Sequence, residues 1–138
     1  MKDYFNITLS DNEIQGISSI GLAHLGDGVS ELLARTWLCA HGTATGTGLH
    51  RATIELVCAQ AQAARGDRIL PLLTEEETAV YKRGRNAHVH TVPHSASRAD
   101  YLKATALECL FGWLYLRGQR DRINFLFAAM MEEDTYAT

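Results

Sequence analysis

The chain has 138 residues, with 13 basic against 16 acidic side chains, a formal net charge of −3 and 46% hydrophobic residues. These values suit one globular domain spanning residues 1–138 and exclude a strongly basic nucleic-acid binder, so any such site must come from local charge pattern. No stretch approaches the ~18 apolar residues of a membrane span, and "MKDYFNITLS" lacks the apolar core of a signal peptide, so a cytoplasmic protein with no membrane partner is expected.

The first predicted helix runs from about Ser19 to Ala40. Leu22, Leu25, Val29, Leu32 and Leu33 recur there at three- and four-residue spacing, as the buried stripe of a helix does. Residues 41–48, "HGTATGTG", break it. A second helix is expected from about Leu49 to Arg65, with Ile54, Val57, Cys58 and Ala61 on one stripe. Residues 66–73, "GDRILPLL", read as a connector with a helical turn or two. "TEEE" starts the next helix, with Thr74 as cap and Glu77 three residues on, fading near Asn86 or Ala87. Residues 88–97, "HVHTVPHSAS", have no helical period, and Pro93 blocks one. Ser97 caps a long helix to Gly118, and a last helix covers 119–133, followed by a fraying "DTYAT". Alternating β patterns are absent, so the fold class is all-α. Cys39, Cys58 and Cys109 are odd in number and far apart. They read as buried thiols in a reducing compartment.

Two acids stand out. Asp27 lies between Gly26 and Gly28, with Ala23 one turn before it. Glu108 lies beside the stripe of Leu107, Leu110, Phe111 and Leu114, with Ala104 and Gly112 one turn away. A glycine inside a helix costs roughly 1 kcal/mol against alanine. A close crossing of the two helices that brings both carboxylates into one concave site accounts for that cost. Oxygen ligands of this kind suit Mg²⁺, which keeps several waters and takes one or two protein carboxylates. On pattern alone, a solvated acid or a Gly-Asp-Gly turn remains the commoner alternative.

At these stretches the sequence resembles a known family. "LAHLGDGVSELLAR" (22–35) resembles the signature helix of the ribonuclease III endonuclease domain, and "ADYLKATALECLFGWLYLRG" (99–118) its second acidic helix. "LHRATIELVCAQAQA", "LLTEEETAVYKRGRNA" and "TVPHSASRADY" resemble, in order, further segments of the Mini-ribonuclease III branch, which consists of the nuclease domain alone. The resemblance implies the helical ribonuclease III fold and a homodimer with a catalytic valley along the shared face. It also implies a Mg²⁺-dependent endoribonuclease that cuts double-stranded RNA. In this branch the substrate class is ribosomal RNA precursor, especially the large-subunit (23S) RNA, and the products carry 5′-phosphate and 3′-hydroxyl ends. Asp27 matches the invariant signature aspartate and Glu108 the essential glutamate, both as catalytic and metal-binding groups. Ordinary ribonuclease III has further acids where this chain has Ile20, Ala23 and Thr105, a reduction shared with the Mini branch. It also carries a separate duplex-binding domain for which 138 residues leave no room. Substrate choice is then expected from the nuclease face, with a ribosomal protein bound to the RNA as a helper.

"YKRGRNAH" gathers Lys82, Arg83 and Arg85 in a short span, with Gly84 and Asn86 suited to a sharp turn that donates hydrogen bonds to phosphate. Duplex RNA is read by shape, through phosphates and 2′-hydroxyls. The expected RNA contacts are therefore Lys82, Arg83, Arg85, Asn86 and His94, with His50, Arg51 and Gln62 as weaker ones. Cations at a helix C-terminus are also favoured by the macrodipole, so a solvated basic face is the structural alternative. His88, His90 and His94 lack a nearby fourth ligand for zinc and read as loop histidines. Glu31, one turn after Asp27, reads as part of a surface or capping salt bridge. Competing functions are a non-catalytic dimeric module that binds double-stranded RNA and a helical phosphohydrolase acting on nucleotides. The latter normally shows a His-Asp dipeptide, which this chain lacks.

Overall fold

The computed structural model describes residues 1–42, 45–87, 92 and 96–132. Among these there are seven α-helices and no strand: α1 (Asp11–Gln15), α2 (Ser19–Ala40), α3 (Gly46–Val57), α4 (Ala59–Ile69), α5 (Glu75–Arg85), α6 (Arg98–Leu116) and α7 (Arg120–Met130). The all-α expectation holds. No helix is long and apolar enough to cross a membrane.

Helix α6 is the axis of the molecule, and α2, α4, α5 and α7 all pack against it. It is buried on every side, from Ala104 through Leu107 and again from Cys109 through Leu114. That is the pattern of a central helix rather than an amphipathic one. The expected stripe of Leu107, Leu110, Phe111 and Leu114 is thus only part of its apolar surface. Helix α6 begins on Ser97, whose hydroxyl accepts from the Asp100 amide at 3.1 Å. It ends in a Schellman turn, in which the Gly118 amide donates to the Tyr115 carbonyl and the Gln119 amide to that of Leu114, both at 3.0 Å. Gly118 sits at φ +74°, a left-handed position that favours glycine.

Helix α5 starts with the expected capping box. The Thr74 hydroxyl accepts from the Glu77 amide at 3.1 Å and Glu77 accepts from the Thr74 amide at 2.9 Å. The buried Glu77 carboxylate also receives both Nε and Nη2 of Arg122, at 2.8 and 2.7 Å. This paired, bidentate contact fastens α5 to α7 and holds the Glu77 carboxyl below its usual range.

Several features differ from the sequence expectation, among them Leu32, which stands exposed rather than on the buried stripe of α2. Helix α1 was not foreseen, although Ser10 and Glu13 form a capping box of their own. The helix expected over residues 49–65 is two helices, bent at Cys58 where ψ is 156°. Helix α3 follows α2 while α4 turns in against α6 and α7, and packing overrides local propensity. Arg65 bridges the bend by donating to the Leu56 carbonyl at 3.1 Å, an end-of-helix acceptor that α3 itself cannot satisfy. Finally, Cys109 is buried as expected, but Cys39 and Cys58 are exposed, because they stand on the last turn of α2 and at the bend.

Candidate active site

Helices α2 and α6 touch main chain to main chain. A Cβ at Gly26 would collide with the Glu108 carbonyl, and a Cβ at Gly112 would collide with the Leu22 carbonyl. The two glycines are reciprocal, each admitting the other helix's backbone. This contact accounts for Gly26. It does not account for Gly28, beside which there is no atom within 4 Å.

The crossing puts Asp27, next in sequence to Gly26, beside Glu108. Asp27 is exposed and Glu108 half-buried, so the pair opens to solvent from the Asp27 side. The Glu108 carboxyl is pushed up to about 9, first by burial and then by the Asp27 carboxylate, which lies within hydrogen-bonding reach and adds its negative charge. Two acids this close cannot both ionise at neutral pH without compensation. A divalent cation supplies it, and two hard oxygen donors fit a hydrated Mg²⁺. No cluster of three or more His, Cys, Asp or Glu groups suited to a metal occurs among the described residues, so water would complete the coordination of any such ion. Ala23, Ala104 and Thr105 around the pair are buried, and the Thr105 hydroxyl donates to the Tyr101 carbonyl. Ile20 is exposed. Glu31 is engaged with Arg35 in an exposed ion pair at 2.9 Å, the role read from the sequence.

The basic cluster lies on the last turn of α5. Lys82, Arg83 and Arg85 are exposed, and no ion pair joins them to another described residue. Asn86 is the C-cap, its amide donating to the Lys82 carbonyl at 3.0 Å. Gly84 is helical and buried, so it makes no sharp turn as the sequence suggested. It lies in close contact with α6 beside Ala106 and Cys109, and Arg83 is near enough to Cys109 to act on its thiol electrostatically. The cluster is thus seated next to the turn of α6 that carries Glu108.

His50 and Arg51 are exposed on α3. Gln62 is not available to RNA in this structure, being 3% exposed. It lines a small, partly open cavity of about 20 Å³ with Ser30, Leu107 and Phe111, because the α3–α4 bend rotates its face inward. His94, His88 and His90 lie outside the described residues. Trp113 is a core residue under the Arg117 guanidinium, 4.4 Å from the ring centroid.

The chain matches the ribonuclease III domain over residues 21–119. It is 43% identical over 108 residues to a Mini-ribonuclease 3 of Symbiobacterium thermophilum, covering 78% of this chain and 83% of that protein. It is 38% identical over 112 residues to a Mini-ribonuclease 3 of Enterococcus faecalis, covering 80% and 85%. The fold is similar to the crystal structure of a Fusobacterium nucleatum protein, with a TM-score of 0.79, 29% identity and coverage of 87% of this chain and 96% of that one. Ribonuclease III endonucleases act on double-stranded RNA and are generally dependent on a divalent metal. The chain, with its paired acids at the crossing of two helices, belongs to the ribonuclease III family of endoribonucleases and to its Mini-ribonuclease 3 branch.

Proposed function

We propose that this chain is a Mg²⁺-dependent endoribonuclease that cuts double-stranded RNA in the maturation of the large-subunit (23S) ribosomal RNA precursor. It works in the cytoplasm as a homodimer of single-domain protomers, with a ribosomal protein as helper, and leaves 5′-phosphate and 3′-hydroxyl ends. The observation that carries this reading is the pairing of Asp27 with Glu108, whose carboxyl holds its proton up to about pH 9 in the bare protein.

Asp27 presents an open carboxylate at the site mouth. Glu108 approaches from behind, fixed by the backbone contact of α2 with α6. Asp27 and Glu108 would hold the metal as carboxylates, which for Glu108 would mean giving up its proton. Mg²⁺ held there supplies Lewis-acid polarisation of the phosphodiester and lowers the pKa of a water. Lys82, Arg83, Arg85 and the Asn86 side chain hold phosphates beside the acid pair, and His50, Arg51 and His94 are further candidate RNA contacts. Ile20 and Leu32 on α2 and Ile54 on α3 are large apolar side chains left exposed.

The test is cleavage of a hairpin RNA and of precursor large-subunit RNA, with and without Mg²⁺, followed by end mapping. The Asp27→Asn variant is expected to lose cleavage while keeping its fold and RNA affinity. Cleavage at the parent rate by that variant would remove the acids from the reaction. Binding without cleavage by the parent chain would instead favour the non-catalytic module.

A further inference from the structure

Gly84 interrupts the basic cluster in the last turn of α5. A Cβ there would stand 2.7 Å from the Cys109 Cβ, 3.0 Å from the Ala106 Cα and 3.2 Å from the Cys109 Sγ. Two of these neighbours are tied rigidly to the α6 backbone, so no side-chain rotation relieves the contact. Val80, Tyr81 and Gly84 form the buried stripe of α5, while Lys82, Arg83 and Arg85 project from its other faces. The glycine therefore fixes how near the three cations sit to α6, and its contact residue, Cys109, is next in sequence to Glu108.

We infer that Gly84 is a positioning residue, which sets the distance between the phosphate-holding end of α5 and the cutting acids through a closed α5–α6 contact. This rests on the reading above, in which the cations of α5 hold RNA and the acids cut it. Carbon atoms pack favourably at about 3.5–4.0 Å, so a methyl group at Gly84 displaces the end of α5 by about 1 Å. The cations keep their charge, and RNA affinity is retained. The scissile phosphate is then held out of register with the acids, and misplacement of about 1 Å can cost about a hundredfold in rate.

The experiment measures hairpin cleavage in Mg²⁺ and hairpin affinity in Ca²⁺ for the parent, for Gly84→Ala and for Val80→Ala. The last is a core truncation on the same helix that loosens packing without pushing α5 outward. Gly84→Ala is expected to lower kcat by about 10- to 100-fold with Kd within about twofold of the parent, and Val80→Ala to keep kcat when assayed well below its Tm. Unchanged kcat in Gly84→Ala, or an equal loss in Val80→Ala, overturns the inference. If Gly84→Ala does not fold, its combination with Cys109→Gly, which removes the 2.7 Å neighbour, decides the matter. A rise of stability and kcat together supports the inference, short of the parent because the Ala106 Cα still stands 3.0 Å away, and recovered stability without recovered kcat overturns it. A variant with Lys82, Arg83 and Arg85 all changed to Gln separates the two readings. If it keeps full affinity and an unchanged salt slope, the RNA role of this end of α5 fails and the positioning role with it. If it loses affinity while Gly84→Ala keeps its kcat, only the positioning role fails.

Discussion

Replacing Glu108 by glutamine is expected to make the metal-free protein more stable while abolishing cleavage. The carboxyl has an ordinary value of 4.5 and is pushed up to about 9 in the fold, so the folded state holds a proton that the unfolded chain releases. Between those two values unfolding sheds that proton. The stability tied to Glu108 is full below pH 4.5, falls as pH rises, and is gone above about 9. The slope for one proton is about 1.4 kcal/mol per pH unit, which sets a ceiling of about 5 kcal/mol at pH 8. Glu108 is half-buried, and solvent at the open side of the pair reduces this to about 1–3 kcal/mol. Glu108→Gln matches the protonated carboxyl in shape and removes the penalty. The assay is thermal unfolding in a chelator at fixed protein concentration from pH 4 to 9. The variant's Tm is expected to exceed the parent's at pH 8, with the gap closing as the pH falls toward 4.5. Mg²⁺ at pH 8 is expected to raise the parent's Tm and leave the variant's unchanged. Equal melting of the two proteins at pH 8, without metal, would refute a strained acid pair at this crossing.

Two further outcomes follow from the packing. Gly26→Ala forces a methyl group into the Glu108 main chain and within 2.9 Å of the Gly112 nitrogen, and is expected to cost about 3 kcal/mol or more. Gly28→Ala, with no atom within 4 Å, is expected to gain up to about 1 kcal/mol from helix propensity, and denaturant titration of both variants checks the contrast. Arg122→Met leaves the buried Glu77 carboxylate without its ion-pair partner and is expected to cost about 3–5 kcal/mol at pH 7. Because Arg122 chiefly holds the Glu77 carboxyl low, that contribution is present above 4.5 and lost as the pH falls below it. The parent and variant are therefore expected to approach each other in stability as the pH falls below 4.5.

Much of this architecture was legible because local signals agreed with packing. The Thr74–Glu77 box and Ser97 as a cap each predicted a helix start that the structure has. The clearing around the two acids pointed to a close crossing, which Gly26 and Gly112 provide. What escaped depended on neighbours distant in sequence. The bend at Cys58 has no glycine or proline to announce it and arises because α3 and α4 serve different partners. Gln62 looked like a surface amide on an uninterrupted helix, and the bend turns it inward. Gly84 suggested a turn because glycine usually marks one in a polar run. Its partner is a cysteine 25 positions later, and no local pattern could show that pairing. Helix α1 escaped for a different reason: its Ser10–Glu13 capping box is local, but five residues are too few to raise a periodicity.

Where α2 crosses α6, no side chain stands between the two backbones, and rotamer motion has nothing to act on. The spacing of the main chain that carries the aspartate and the glutamate is as stiff as the helices themselves. Heat then has no easy route to sliding one acid-bearing helix along the other, and their main chains part company only when the bundle comes undone.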